Sequence, residues 1–329
     1  MCYREKTIGI VVPAYNEALL IGDTLRSMPG FVDKIYVVDD CSKDNTSEVI
    51  GEISKNDSRI TGIRHETNKG VGAAITTGYK KALEDGIDIT AVMAGDNQMD
   101  GKNLPSLLDP IVEGKADYTK GNRLISSEFR KGMSKWRVLG NIMLTFLTKM
   151  ASGYWHLMDP QNGYAAISRN ALERINLDLL YPRYGYCNDI LVKLNVYGFR
   201  VMDIIMPARY GKEKSKIKYG NYIPKVSYLL LKCFLWRLKT KYIWLSFHPL
   251  VLFYILGFVL LPLGILGGMY SLYYKFILGD SLFVRGVLSL LITIIGMQFL
   301  FFAMLFDMQV NSNLDTNSSS SKGPWAYGA

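Results

Sequence analysis

Val92-Met93-Ala94-Gly95-Asp96-Asn97-Gln98-Met99-Asp100 closes an apolar run, residues 87–94, that reads as a short buried strand and breaks at Gly95 into residues a strand cannot bury. A carboxylate, Asp96, therefore stands at a strand end. In open α/β sheets ligands sit just beyond the carboxyl ends of the strands, where Asp96 would meet a ligand or its metal. An ordinary turn would use the same letters, because Asp and Asn are turn formers. The neighbouring stretches decide between the two readings.

Upstream, residues 8–13 form a first apolar strand that ends in Ala14-Tyr15-Asn16-Glu17, before a helix-periodic run carrying Leu20, Ile21, Leu25 and Met28. Residues 32–40 repeat the arrangement and end in Asp39-Asp40, with Ser42-Lys43-Asp44-Asn45-Thr46 capping the next helix. Residues 60–65 read as a third strand, after which Asn68-Lys69-Gly70-Val71-Gly72 opens a helix that runs to about residue 84. Strand and helix alternate, which predicts a parallel α/β sheet. Gly70-x-Gly72 lacks the third glycine of a dinucleotide fingerprint, Ile75 standing there, and its unit is the third in the chain rather than the first. A dehydrogenase is a poor fit. Three strand ends converge on acidic or polar tips, a pattern suited to a nucleotide and a divalent metal.

The remainder of the chain points to a membrane. Residues 247–270 and 282–306 are almost uncharged and apolar, each long enough to cross a hydrocarbon core that needs roughly 20 residues. The formal net charge of +9 is carried by residues 209–241, which hold ten Lys and Arg against the single acid Glu213. A basic cluster directly before an apolar segment satisfies the positive-inside rule and suits a bilayer with anionic headgroups. No recognition motif accompanies the charge, so nucleic acid is not a predicted partner. Residues 1–7 are charged and 8–12 are too short for a signal's apolar region, so the N-terminal domain is expected on the cytoplasmic side of a multi-pass membrane protein. The four cysteines, Cys2, Cys41, Cys187 and Cys233, are scattered, as reduced cytoplasmic thiols would be.

On these residues the chain resembles the family 2 inverting glycosyltransferases, and among them the polyprenyl-phosphate (dolichol-phosphate) sugar synthases. The resemblance runs from Ile8 to the paired apolar segments. It implies a GT-A-like nucleotide-binding sheet flanked by helices, followed by interfacial amphipathic helices and a two-helix transmembrane hairpin. It also implies site residues. Pro13, Tyr15 and Glu17 match the opening motif around the nucleotide; Asp39, with Asp40 beside it, matches the residue that holds the base; and Asn68-x-Gly70 matches the next nucleotide loop. Asp96-x-Gln98 matches the second half of the metal-binding D-x-D-x-Q motif, whose first Asp is Ala94 here. The implied Mg²⁺ or Mn²⁺ then has one direct carboxylate, with diphosphate oxygens and water completing its hard oxygen shell.

Further on, Gly121-Asn122-Arg123 resembles the family's G-N-R element, and Arg137 and Asn141 stand at spacings like those of residues near the acceptor phosphate. Arg209, Lys212 and Lys216 belong to a stretch resembling the one that closes over the acceptor. Asp159-x-x-x-Gly163-Tyr164 resembles a family turn, although Ala165 replaces the Arg that often follows. Asp189 opens a helix where many inverting relatives carry a catalytic Asp. The reaction implied is single displacement. The phosphate of a polyprenyl or dolichyl phosphate attacks the anomeric carbon of a nucleotide sugar. A phosphate monoester is largely dianionic near neutral pH and needs little help from a base, whereas a hydroxyl acceptor would need one, with Asp189 the candidate.

The predicted organisation is a cytoplasmic catalytic domain over 1–220 that includes an interfacial helix at about 132–152, a second interfacial helix over 221–245, two transmembrane helices over 246–308, and a disordered polar tail over 309–329. The first interfacial helix rests on the stripe Leu139, Ile142, Met143, Phe146, Leu147 and Met150, which a buried core helix would also show. Paired apolar helices also leave room for a homo-oligomer. Residues 94–99 look more like the glucose and N-acetylglucosamine branches than the mannose one, which implies a UDP-sugar; a GDP-mannose-dependent mannose synthase is the alternative. A processive synthase would carry Q-x-x-R-W, which is absent. A non-enzymatic nucleotide-binding scaffold would lack the acceptor basics, which are abundant here.

Overall fold

A computed structural model describes residues 3–96, 98–123, 135–207, 219–279, 281 and 283–314, with side chains except at 135–139, 141, 219–222 and 278. The described chain divides after Phe234 into two compact units, the second being Leu235–Ser312.

In the first unit β1 (Ile8–Ala14) is the middle of a parallel group, flanked by β2 (Lys34–Asp39) and β4 (Ile89–Val92), with β3 (Ile60–Arg64) outside β2. The sheet continues through β6 (Ala165–Ser168), β5 (Tyr118–Asn122) and β7 (Val201–Ile205), in the order β3-β2-β1-β4-β6-β5-β7. Alternation along the strands feeds two cores. Ile8, Ile10 and Val12 pack with Leu25 of α1 (Ile21–Arg26), Ile50 of α2 (Thr46–Asn56) and Leu104 and Leu107 of α4 (Leu104–Val112). Val11 and Tyr36 face the other way, onto Ile75 and Tyr79 of α3 (Val71–Glu84), Leu172 of α6 (Arg169–Arg174) and Ile190 and Leu194 of α7 (Tyr186–Val196). Covered on both faces, β1, β2 and β4 read as nearly unbroken apolar runs.

One expectation is corrected: the sheet is mixed. β6 runs antiparallel to both β4 and β5. After β5 the chain forms α5 (Lys135–Ser152) and comes back to the sheet where β5 ends, with Gly121 N donating to Tyr164 O at 2.8 Å. It re-enters from the carboxyl edge and can only run backwards.

In the second unit the end of α8 (Tyr219–Arg237) passes into a π-helix, Leu238–Leu245, then α9 (Leu250–Leu278) and α10 (Phe283–Asn311). Small residues let α9 and α10 approach closely: a Cβ on Gly264 would stand 2.4 Å from Thr293 Oγ1, and one on Gly296 2.5 Å from Leu261 N. Among the described residues these are the two helices long and apolar enough to cross a membrane. Leu252, Leu266, Phe301 and other large apolar side chains on them are exposed. Inside the unit Arg237 and Asp307 are both fully buried and form a two-pronged ion pair at 2.8 and 2.9 Å. Of the predicted tail over 309–329, residues up to Leu314 are helical, α10 reaching Asn311, and 315–329 lie outside the described residues.

Candidate active site

Parallel pairing brings the polar tips together. Ala14 is in register with Asp39 and Val11 with Val92, so the loops after β1, β2 and β4 leave the sheet side by side. The contact is close. A Cβ on Gly95 would be 3.4 Å from Pro13 O, and Thr24 Oγ1 donates to Gly95 O at 3.1 Å.

The β1 tip is held by its neighbour. Asn16, in the left-handed region at φ 54°, accepts from Lys43 N at 2.8 Å through its side chain and donates its own N–H to Ser42 Oγ at 2.9 Å. Glu17 N donates to Thr46 Oγ1 at 2.9 Å. These bonds leave Tyr15 exposed and Pro13 and Glu17 half-buried at the rim. Asn tolerates positive φ through its short polar side chain, which is the signal in the sequence that could have singled out Asn16.

Asp39 and Asp40 are both buried, 2% and 3% exposed. Asp39 accepts from Ser42 N at 2.9 Å and from Ser47 Oγ, with Arg64 Nε at 3.6 Å. Asp40 points into the protein. Its Oδ2 accepts from Gly70 N at 2.7 Å, its Oδ1 from Lys69 N at 2.9 Å, and His65 Nδ1 lies 2.7 Å from Oδ1. Asn68 Nδ2 donates to Asp40 O at 3.2 Å. The loop expected at the nucleotide, Asn68 to Gly70, is thus seated on Asp40. Gly70, at φ 100°, adopts a backbone that side-chain-bearing residues rarely reach.

At the β4 tip Asp96 is half-buried and its Oδ1 accepts from Gln98 N at 3.1 Å, while Ala94 N donates to Met99 Sδ at 3.2 Å. Ala94 presents a methyl where the family motif has its first carboxylate. Among the described residues no three His, Cys, Asp or Glu side chains gather as a metal cage. With Asp96 the one carboxylate of that motif, the site fits Mg²⁺ or Mn²⁺ only if substrate phosphates and water supply most of the shell, which suits an ion that dehydrates reluctantly.

A second polar group forms where β5 and β7 end and β6 begins. Arg123 Nε donates to Asp159 Oδ2 at 2.9 Å, with Asp159 4% exposed. Asp203 of β7 accepts from Lys120 Nζ at 3.0 Å, Asn122 Nδ2 at 3.0 Å and Met158 N at 2.8 Å. Sequence reasoning missed Lys120 and Asp203; the signal was an acid in the apolar strand Val201–Ile205 and a Lys in the short strand Tyr118–Asn122. Burial pushes the Cys187 thiol up to about 11, with the charges of Lys120, Asp159 and Arg123 also acting on it, so it stays protonated near neutral pH.

Asp189 bonds to residues other than these. Asp189 is 6% exposed in the first turn of α7, bonded to Tyr181 N, Lys193 Nζ and Cys233 Sγ. Arg137 and Asn141 fall in α5, but their side chains lie outside the described residues, as do Arg209, Lys212 and Lys216 entirely.

The glycosyl transferase family 2 pattern matches residues 9–175, just over half of the 329 residues, and the chain belongs to that family. It is 33% identical over 210 residues to the UDP-N-acetylglucosamine–dolichyl-phosphate N-acetylglucosaminyltransferase of Methanococcus voltae, a match spanning 58% of this chain and 83% of the relative. It is 29% identical over 208 residues to polyprenol monophosphomannose synthase of Mycolicibacterium smegmatis, spanning 59% and 74% of the two chains. Glucosyl-3-phosphoglycerate synthase of Mycobacterium tuberculosis, solved with Mn²⁺, UDP and glucosyl-3-phosphoglycerate, superposes with a TM-score of 0.52 at 19% identity, over 71% of this chain and 80% of that one. The protein is a glycosyltransferase, and its mixed sheet flanked by helices is GT-A-like.

Proposed function

We propose that this glycosyltransferase moves a sugar from a nucleotide sugar, of the UDP-glucose or UDP-N-acetylhexosamine class, to the phosphate of a polyprenyl or dolichyl phosphate, with inversion at the anomeric carbon. The observation that carries the reading is the presence in one chain of a family 2 sheet and two helices of membrane-spanning length. Relatives named for dolichyl-phosphate and polyprenol acceptors support it. The segment 209–241, with its formal +9, would lie on the cytoplasmic face of a multi-pass protein against anionic headgroups.

Asp39 and the Asn68 to Gly70 loop bind the nucleotide, with Tyr15 and Glu17 at its rim. Asp96, with Gln98 beside it, would hold a divalent cation that neutralises charge on the leaving diphosphate. Arg123, and Arg137 from α5, would grip the acceptor phosphate, because a guanidinium fork matches phosphate oxygens two at a time. Arg123 would have to exchange Asp159 for that phosphate, or share both. The acceptor oxygen attacks as the sugar–diphosphate bond breaks, and the nucleoside diphosphate leaves with that bond's electrons. No proton need be removed from an ionised phosphate, so the rate should fall only below the second phosphate pKa of about 6.

The test is transfer of labelled sugar by the detergent-purified protein to a polyprenyl phosphate, from UDP-N-acetylglucosamine, UDP-glucose or GDP-mannose, with Mg²⁺ or Mn²⁺. Lipid-linked product from a UDP-sugar is expected. Asp96→Asn should lower the rate about a hundredfold or more. Transfer from GDP-mannose alone would favour the second reading, which the mannose synthase relative supports. Transfer to no polyprenyl phosphate from any of the three donors would overturn the proposal.

A further inference from the structure

Asp189 has its carboxylate enclosed. Oδ2 accepts from Tyr181 N at 2.8 Å and Lys193 Nζ at 2.5 Å, and Oδ1 accepts from Cys233 Sγ at 3.4 Å. Burial, then the charge of Asp189 and the hydrogen bond to it, push the Cys233 thiol up to about 12, so it remains a donor. A general base must reach the proton it removes. A carboxylate 6% exposed and ringed by an ammonium, an amide and a thiol has both oxygens already engaged within the protein.

What it does hold is the backbone at Tyr181 and Pro182. Pro182 O accepts from Ala73 N at 3.0 Å, in the first turn of α3. The fit there is tight: a Cβ on Gly72 would stand 2.2 Å from Tyr181 O, and one on Gly70 2.6 Å from Pro182 O. The Tyr181 and Pro182 carbonyls are thus the wall against which loop 68–73 is seated. α8 closes the other side, where a Cβ on Gly185 would lie 2.2 Å from Leu229 Cδ2.

We propose that Asp189 is a positioning residue: by fixing Tyr181 N it sets the wall that seats the Asn68 to Gly70 loop for the nucleotide, and it takes no proton from the acceptor. The nucleotide half of this statement rests on the function proposed above. Two double variants of the full chain separate the possibilities. Asp189→Asn with Lys193→Met removes both charges but keeps an amide oxygen for Tyr181 N, whereas Asp189→Leu with Lys193→Met leaves that N–H without its acceptor. The readouts are amide hydrogen exchange over residues 68–74, KM for the nucleotide sugar, and the pH–rate profile.

The Asn variant should exchange like the wild type. The Leu variant should exchange about tenfold faster over 68–74 and show a nucleotide-sugar KM raised about tenfold, with kcat and the acidic limb of the profile unmoved. Gly72→Ala drives a methyl toward Tyr181 O without touching Asp189 and should reproduce the KM rise if the Leu variant does not fold. Equal exchange in the two double variants would overturn the proposal. So would a loss of about 10² in kcat in the Asn variant together with loss of the acidic limb, the mark of a missing base. If the wild type uses no nucleotide sugar, the proposed function falls while the exchange comparison still decides this inference.

Discussion

Asp40 accepts two backbone N–H bonds from the Lys69 to Gly70 loop, and its Oδ1 lies within hydrogen-bond distance of the His65 ring, whose other nitrogen lies 3.0 Å from Thr77 Oγ1. Buried donors left without an acceptor cost about 1–3 kcal/mol apiece, more when the lost partner is charged. Asp40→Ala should therefore lower stability by about 3 kcal/mol, seen as a clear drop in the thermal midpoint of the detergent-solubilised protein. Asp96→Asn, at a half-buried strand tip, should leave the midpoint within about 1–2 °C of the wild type. A large shift for Asp96→Asn, or none for Asp40→Ala, would mean the two carboxylates have been assigned the wrong work. In the sequence the two look alike, each an acid where an apolar strand stops. Strand ends were legible there because burial on both faces leaves few polar residues inside a strand. Which way a carboxylate turns was not, since that depends on Gly70 and His65 arriving from another loop.

Among the elements, α3 lies so close to β1 that a Cβ on Gly78 would come within 2.3 Å of Val11 Cγ1. Val11 is itself fully buried in the core it shares with Tyr36 and Tyr79, which leaves it little room to move. Overpacking of this kind costs about 1–3 kcal/mol. Gly78→Ala should lose that much by urea unfolding, against the gain in helix propensity that Ala brings at an open site. A neutral or stabilising result would show that β1 and α3 are looser than their contacts imply. Periodicity made these elements readable: β1, β2, β3 and α3 each start or end within about two residues of the expected place. The reversed direction of β6 was not readable. Its four residues carry no directional signal, and the direction follows from where α5 delivers the chain.

At the scale of the whole molecule, the proposed attachment to a membrane would have two sources. α9 and α10 have the length and composition of spans. In the first unit, α5 exposes Ile142, Met143 and Phe146, and α8 exposes Tyr228 and Leu231, an apolar surface that headgroup-level helices would use. Two long apolar helices could be read from sequence by length and composition. An interfacial face could not be told from a core face, because the same stripe serves both until burial is known. A chain ending at residue 246 isolates the second source, but it also removes Asp307 and leaves Arg237 without the carboxylate it grips in the intact protein. A buried charge stripped of its partner costs about 3–5 kcal/mol, so the shortened chain should also carry Arg237→Gln. That protein should float with vesicles containing anionic lipid at low salt. It should be partly released as ionic strength rises, because basic residues near the surface are each worth about 1 kcal/mol and are screened within a Debye length. Complete release by salt would leave only electrostatic attachment and remove the interfacial reading of α5 and α8. Failure to float even at low salt would remove the basic segment's role as well and assign all attachment to α9 and α10.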